Sequence, residues 1–335
     1  MNNIAQKFHL SSIYIGFLFL GHFKTTDARL TWETELLYLV IMAGKHHTPL
    51  LAHMGLFYAA AIWGSTFFVV KAALDHIDPI VMVAYRFLIA GLIMIPIILI
   101  TGRRLFSGLG QAFLLAIILW LLYVPQTIGL RYTTASNSGF ITGLFVAFVP
   151  LFQRTLFKTK PNMMEILASG ISLVGLWVLT GGLQEINLGD ILTLAAAVTY
   201  ALHVLLSDKY MKAGSDALVL SCQQFLIIGL LSLLTALVFR LPLKIETQST
   251  IGIVLFLALF PTLSAFVIQL LAQKIVSPLK VSLIFALEPV FAAAFAWTIG
   301  GEIPIPHRAL GGFIIFAALL VSGLPAPKGR LSSGG

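Results

Sequence analysis

Charge is what this sequence has least of. Asp, Glu, Lys and Arg make up only 10% of its 335 residues, against 59% that are hydrophobic. No water-exposed domain of that size covers itself with so little charge, so soluble enzymes and soluble binding modules are excluded. Cysteine is nearly missing as well: Cys222 stands alone, inside an apolar run. A disulfide framework and a thiolate metal site are thereby ruled out. The apolar runs are continuous rather than alternating, which excludes a transmembrane β-barrel. Nothing resembles Gly-x-x-x-x-Gly-Lys-Ser/Thr, and there is no soluble domain to hold a nucleotide, so ATP is not the energy source. Two-histidine metal spacings are absent, as is a Ser/His pair in a strand–turn–helix setting, so no catalytic residue, metal or cofactor is expected. An intramembrane enzyme acting on lipid-linked substrates stays as the alternative class, and a non-transporting scaffold as a third.

What is present is enough apolar length for roughly ten membrane crossings, each needing about 20 residues. From Met54 the spans are Met54–Leu74, Pro79–Thr101, Gly110–Leu130, Ala135–Phe157, Met163–Gly182, Gly189–Asp208, Asp216–Phe239, Thr250–Gln273, Leu279–Gly300 and Pro306–Gly323. Residues 1–53 read differently, as an extension lying upstream of a working start at Met54. Residues 325–335 form a short tail. The net charge of +8 would suggest nucleic acid in a soluble chain. Here the bases sit in short loops, where they set orientation, and no nucleic-acid partner is expected. Arg103, Arg104, Arg154, Lys158, Lys160, Lys209, Lys212, Lys274, Lys280, Lys328 and Arg330 fall on one side. Arg131, Arg240, Lys244 and Arg308 fall on the other, among the acids Asp75, Asp78, Glu185 and Glu302. The first side is expected in the cytoplasm, with Met54 and the carboxy terminus both inside.

The second and seventh spans repeat each other. DPIVMVAYRFLIAGL (Asp78–Leu92) lies over DALVLSCQQFLIIGL (Asp216–Leu230), pairing Asp78 with Asp216, Phe87 with Phe225, Leu88 with Leu226 and Gly91 with Gly229. A further register pairs Gln126 with Gln269, Gly139 with Ser282 and Gly143 with Ala286. Residues 54–182 and 189–324 are then two five-helix units. Because five is odd, the second unit crosses the membrane in the opposite sense, the layout of many secondary carriers. The expected fold is an all-α polytopic membrane bundle of ten transmembrane helices in two inverted five-helix repeats. Small residues recur one turn apart in the fourth span (Ala135, Gly139, Gly143, Ala147), as they do in the ninth at Pro278, Ser282 and Ala286. Such stripes predict close packing, here of the two helices against each other near the pseudo-two-fold axis.

The ninth span carries the most expensive side chain. Glu288 sits near its middle, followed by Pro289. A carboxylate at membrane depth costs about 2.5–3.5 kcal/mol on insertion scales, so it faces a cavity or a partner. The proline frees a carbonyl one turn back, which needs a partner too. Trp63-Gly64-Ser65-Thr66-Phe67 in the first span resembles the Trp-Gly signature of the drug/metabolite transporter superfamily, EamA type. Arg86 after Asp78-Pro79, Leu287-Glu288-Pro289 and Gly301-Glu302 are similar to that family as well. The first half departs from the pattern: it has Phe148-Val149-Pro150 in place of Glu-Pro, and Phe157-Lys158 in place of Gly-Glu. The resemblance covers Met54 to about Leu324. It implies a secondary active transporter of the plasma membrane, the bacterial inner membrane. Such a carrier exports a small amino acid-like metabolite or a drug by alternating access, with a proton gradient among the candidate energy sources.

Polar groups at depth define the expected substrate site. Arg86 suits a planar anion or Glu288 itself, unless it snorkels to the surface. Gln126 and Gln269 are repeat mates, and Tyr123 lies on nearly the same face as Gln126. Asn137 opens the fourth span. Tyr200 and His203 in the sixth span occupy the turn that Trp63 and Thr66 occupy in the first. Together these line a small-molecule site with aromatic walls and few hydrogen-bonding groups. Taken singly, each is equally an interhelical hydrogen bond worth about 0.6 kcal/mol. Lys71 and Asp208 are close enough to helix ends to be solvated. The expected partners are the lipid bilayer, the small-molecule cargo and, in a homodimer, a second copy of the chain.

Overall fold

The computed structural model describes residues 49–181, 186–298, 303 and 306–324. Among these no strand occurs, and the elements are all helical. They run α1 (Pro49–Ala73), α2 (Pro79–Ile100), α3 (Leu109–Gly129), α4 (Ala135–Gly143), α5 (Phe145–Thr155), α6 (Met163–Thr180), α7 (Leu188–Lys212) and α8 (Ala217–Val238). Then come α9 (Gln248–Leu257), a π-helical turn (Ala258–Ser264), α10 (Ala265–Ala272), α11 (Pro278–Phe285), α12 (Glu288–Thr298) and α13 (Pro306–Ser322). Eight stretches among the described residues are long and apolar enough to cross a membrane. The other two expected spans differ: α13 has 17 residues, and the fourth is split at Leu144 into pieces of 9 and 11. The sequence expectation that the first helix begins at Met54 is corrected, since α1 starts at Pro49. Most of the upstream extension, the Gly301-Glu302 pair and the tail bases Lys328 and Arg330 lie outside the described residues.

Local signals account for the helix starts. Asp78 accepts from the Ile80 amide at 2.8 Å while Pro79 opens α2. A proline in that first turn forfeits no helical hydrogen bond. Ser277 with Pro278 repeats this device at α11. Asn187 and Asp190 form a reciprocal capping box at α7, and Asp216 caps α8 with bonds to Leu218 and Val219. Gly181 ends α6 at φ 77°, a conformation that only glycine adopts without strain.

Packing then joins the helices into an exchange-related set. The most extensive contacts are α2 with α8, α6 with α13, and α3 with α7. The first span packs on the eighth and ninth, as the sixth packs on the third and fourth. Exchanging the first five spans for the last five returns these particular contacts. The crossing of α2 and α8 shows why. A Cβ on Gly91 would meet Leu226 at 2.7 Å, and one on Gly229 would meet Leu88 at 2.6 Å. These are the same two pairs of equivalent residues, each facing the other's mate. The helices run antiparallel, because Arg103 beyond the end of α2 is ion-paired with Asp216 at the start of α8.

Large apolar side chains such as Leu92, Phe113, Leu230 and Phe313 point outward and are exposed. A surface of that kind suits hydrocarbon and not water. Inside, one cluster of aromatic rings (Trp63, Phe87, Tyr123, Phe145, Tyr200, Phe225, Phe266 and Phe285) fills the centre.

Candidate functional site

The centre is hollow on one side. A small cavity of about 30 Å³ is lined by Trp63, Thr66 and Phe67 of α1, Leu122, Tyr123 and Gln126 of α3, and Thr142 of α4. Tyr200 of α7, Phe266 of α10 and Glu288 of α12 complete it. Six spans contribute, the first, third, fourth, sixth, eighth and ninth. The paired spans α2–α8 and α6–α13 buttress them from outside. Thr66, Phe67, Gln126 and Thr142 place the hollow toward the bundle end that carries Lys71 and Arg131. Toward the Arg103 end the buried rings of Phe145, Phe225 and Phe285 close it.

Glu288 is 5% exposed and faces this hollow. The ninth span breaks after Phe285, because Pro289 has no amide to donate to that carbonyl. A new helix therefore starts at Glu288, and its side chain lies where partial positive charge gathers, at a helix N-terminus. Among the described residues its side-chain partner is the Tyr200 hydroxyl, which donates to Oε1 at 3.2 Å. The Tyr200 ring is stacked on Phe145 at 4.3 Å between centroids. Gly64 explains how α12 comes so close to α1, since a Cβ there would lie 2.5 Å from the Glu288 carbonyl oxygen. Neighbouring Trp63 donates from Nε1 to the Pro261 carbonyl at 2.7 Å and holds Phe285 edge-on at 4.8 Å.

The eighth span is not a continuous α-helix. Pro261 cannot donate to Leu257, and the chain widens into a π turn over Ala258–Ser264. Thr262 fills the gap, its hydroxyl donating to the Leu257 carbonyl at 2.7 Å. The same oxygen accepts from Arg86 Nε at 2.9 Å. Arg86 is thereby accounted for: it does not snorkel to the surface, being 3% exposed. Nor is it ion-paired with Glu288 within 4 Å among the described residues. Its guanidinium lies 4.7 Å from the centroid of Tyr123, a wall of the cavity. Both attractions are of the kind a buried cation needs.

Of the ten residues expected at the site, Trp63, Thr66, Tyr123, Gln126, Tyr200 and Glu288 meet at the hollow. Arg86 stands behind Tyr123. His203 and Gln269 lie one turn past Tyr200 and Phe266, away from the cavity. Asn137 is in the first turn of α4, its amide capped by Thr134. Thr142, which accepts from Gln126 Nε2 at 2.8 Å, was missed by sequence reasoning; its signal was its place one turn from Gly139. Lys71 is not simply solvated. Its amine caps the end of α3 through the Leu130 carbonyl and through Thr133 O at 2.9 Å. The fourth-span small stripe also finds other partners than expected: Gly139 faces Phe67, and Gly143 faces Leu176 of α6.

Comparison with known proteins adds an independent line. A model of the EamA-like transporter family matches the chain twice, over residues 50–181 and 187–324. An uncharacterized transporter of Archaeoglobus fulgidus is 32% identical over 275 residues, covering 82% of this chain and 86% of its own. The inner membrane transporter YedA of Escherichia coli, also uncharacterized, is 28% identical over 284 residues, with 80% and 89% covered. Among solved proteins, one crystal structure superposes with a TM-score of 0.70 at 20% identity, over 81% of this chain and 96% of that one, a likeness of fold.

Proposed function

Because this chain belongs to the EamA-like transporter family and is an integral membrane transporter, we propose that it is a secondary active carrier working by alternating access. Its cargo in this reading is a small amino acid-like metabolite or an amine-bearing drug, and its direction is export across the bacterial inner membrane. The single observation that carries the proposal is Glu288, a carboxylate facing an aromatic-walled hollow with one tyrosine hydroxyl for a partner. Carboxylate and ring faces together suit a protonated amine, and the same carboxylate can hold a coupling proton.

The carrier needs two related halves that trade conformations. The exchange-related packing, the antiparallel crossing of α2 and α8, and the twofold match to one family model all support a ten-span inverted repeat. The excess of bases at the Arg103 end supports a cytoplasmic position for that end in this reading, with both chain ends on the same side. The hollow then faces outward in this conformation.

The test is saturable flux in liposomes made with purified protein, screened over amino acids and organic amines. Glu288→Gln keeps the shape and removes the charge. We expect flux to drop by about 100-fold, or ~2.7 kcal/mol, with an unchanged melting temperature. Wild-type flux in the Gln variant would sink the proposal.

A further inference from the structure

A second polar cluster packs against Phe266, among residues that do not line the cavity. The ring edge of His203 meets Phe266 at 5.9 Å, and His203 Nε2 is 3.1 Å from Gln224 Oε1. Gln269 Nε2 donates to Gln273 Oε1 at 3.3 Å, and Gln273 Nε2 donates to the Val204 carbonyl at 2.8 Å. Ser207 lies one turn beyond His203, and Ser221 one turn before Gln224. All six side chains are fully buried, at 0% exposure.

The cluster is left unsatisfied to an unusual degree. His203 Nδ1, Gln224 Nε2, Gln269 Oε1, Ser207 Oγ and Ser221 Oγ have no hydrogen-bond partner among the described residues. Each such atom costs about 1–3 kcal/mol, and native proteins keep only a few. Here five gather on the facing portions of α7, α8 and α10, all toward the Arg103 end. Between them they offer at least one free donor, Gln224 Nε2, and one free acceptor, Gln269 Oε1. No carboxylate or guanidinium belongs to the cluster. Neutral groups of mixed polarity, each short of a partner, match the requirements of water, which binds with two to four hydrogen bonds.

We propose that His203, Gln224, Gln269 and Gln273, with Ser207 and Ser221, line a water-filled chamber on the cytoplasmic side of Phe266. The chamber is the inner half of the path, closed in this conformation and wetted when α7, α8 and α10 part. This rests on the carrier reading above. It adds the route between three particular helices, and Phe266 as the partition between two polar compartments.

The experiment reads water access and needs no knowledge of the cargo. In a full-length Cys222→Ala background, Ser207→Cys and Ser221→Cys are near-isosteric and are labelled with a membrane-impermeant thiol reagent. Inside-out and right-side-out vesicles are compared, with lipid-facing Leu230→Cys as the reference and gel filtration as the folding control. Both thiols should react from the cytoplasmic face at least tenfold faster than Leu230→Cys. Phe266→Ala should speed them several-fold further. Labelling no faster than the reference, with and without Phe266→Ala, overturns the chamber, as does labelling only from the outer face. Failure of the carrier reading shows instead as normal flux in Glu288→Gln, a separate measurement.

Discussion

The fourth and ninth spans occupy equivalent places and break at equivalent residues. The register that pairs Gly143 with Ala286 also pairs Leu144 with Leu287, and each helix is interrupted there. The next residue in each is Phe145 or Glu288. Both reach Tyr200, one by stacking on its ring and the other by accepting its hydroxyl. The backbone frame is thus shared, whereas the chemistry is one-sided. Only the ninth span has a proline to explain its break. The fourth breaks at Leu144, well ahead of Pro150, through a tightened bond from Leu144 N to Ile141 O at 3.1 Å. The comparison teaches that two matched breaks surround one tyrosine, and that a single acid makes one of them chemically distinct.

Several substitutions break or sharpen this contrast. The largest effect is expected at Gly64, whose added Cβ would strike the Glu288 carbonyl at 2.5 Å. Gly64→Val should destabilise by about 3 kcal/mol through overpacking, while Ala201→Gly at its repeat mate should cost about 0.5–1 kcal/mol. Thermal unfolding in detergent checks both. Thr262→Val removes the acceptor of Arg86 and the donor to Leu257 together, and should lower stability by about 2 kcal/mol with both groups left buried. A melting temperature equal to wild type would show that the π turn does not depend on that hydroxyl.

The equivalent helix caps make a finer comparison. Asp216 accepts from two amides and pairs with Arg103, whereas Asp78 accepts from one and stands 3.9 Å from Arg131. Asp216→Ala should cost about 1.5 kcal/mol and Asp78→Ala about 1 kcal/mol, and equal losses in chemical unfolding would erase the distinction. The last pair of changes falls at the tyrosine and at the ring stacked on it. Phe145→Leu should cost about 1 kcal/mol of aromatic stacking yet leave cargo preference intact. Tyr200→Phe keeps that stack and should instead reduce flux by about tenfold, the worth of one hydrogen bond to a charged group. If the two variants behave alike, the division of roles between Phe145 and Glu288 is wrong.

Much of this was legible in the chain. Continuous apolar runs gave the spans, since each needs only length and hydrophobicity. The Asp78/Asp216 and Gly91/Gly229 registers pointed to two helices that do pack on each other, and the expense of a buried carboxylate pointed to Glu288. Other features were not legible. Periodicity near 3.6 does not report whether Pro261 yields a kink or a π turn, because the answer depends on Thr262 and Arg86 meeting across 176 residues of chain. Arg86 was open to three readings for the same reason, and the contact of His203 with Phe266 and Gln224 was not legible either.

Sequence by itself determined that the chain lives in a bilayer, how often it can cross, and that one acid must be sheltered there. These follow from transfer energies, which belong to residues one at a time. Tertiary structure decided which helix faces meet, where two spans come apart, and that Tyr200 receives Glu288 while Arg86 goes to Thr262. Those choices depend on directional bonds between distant residues, whose geometry exists only once the bundle has closed.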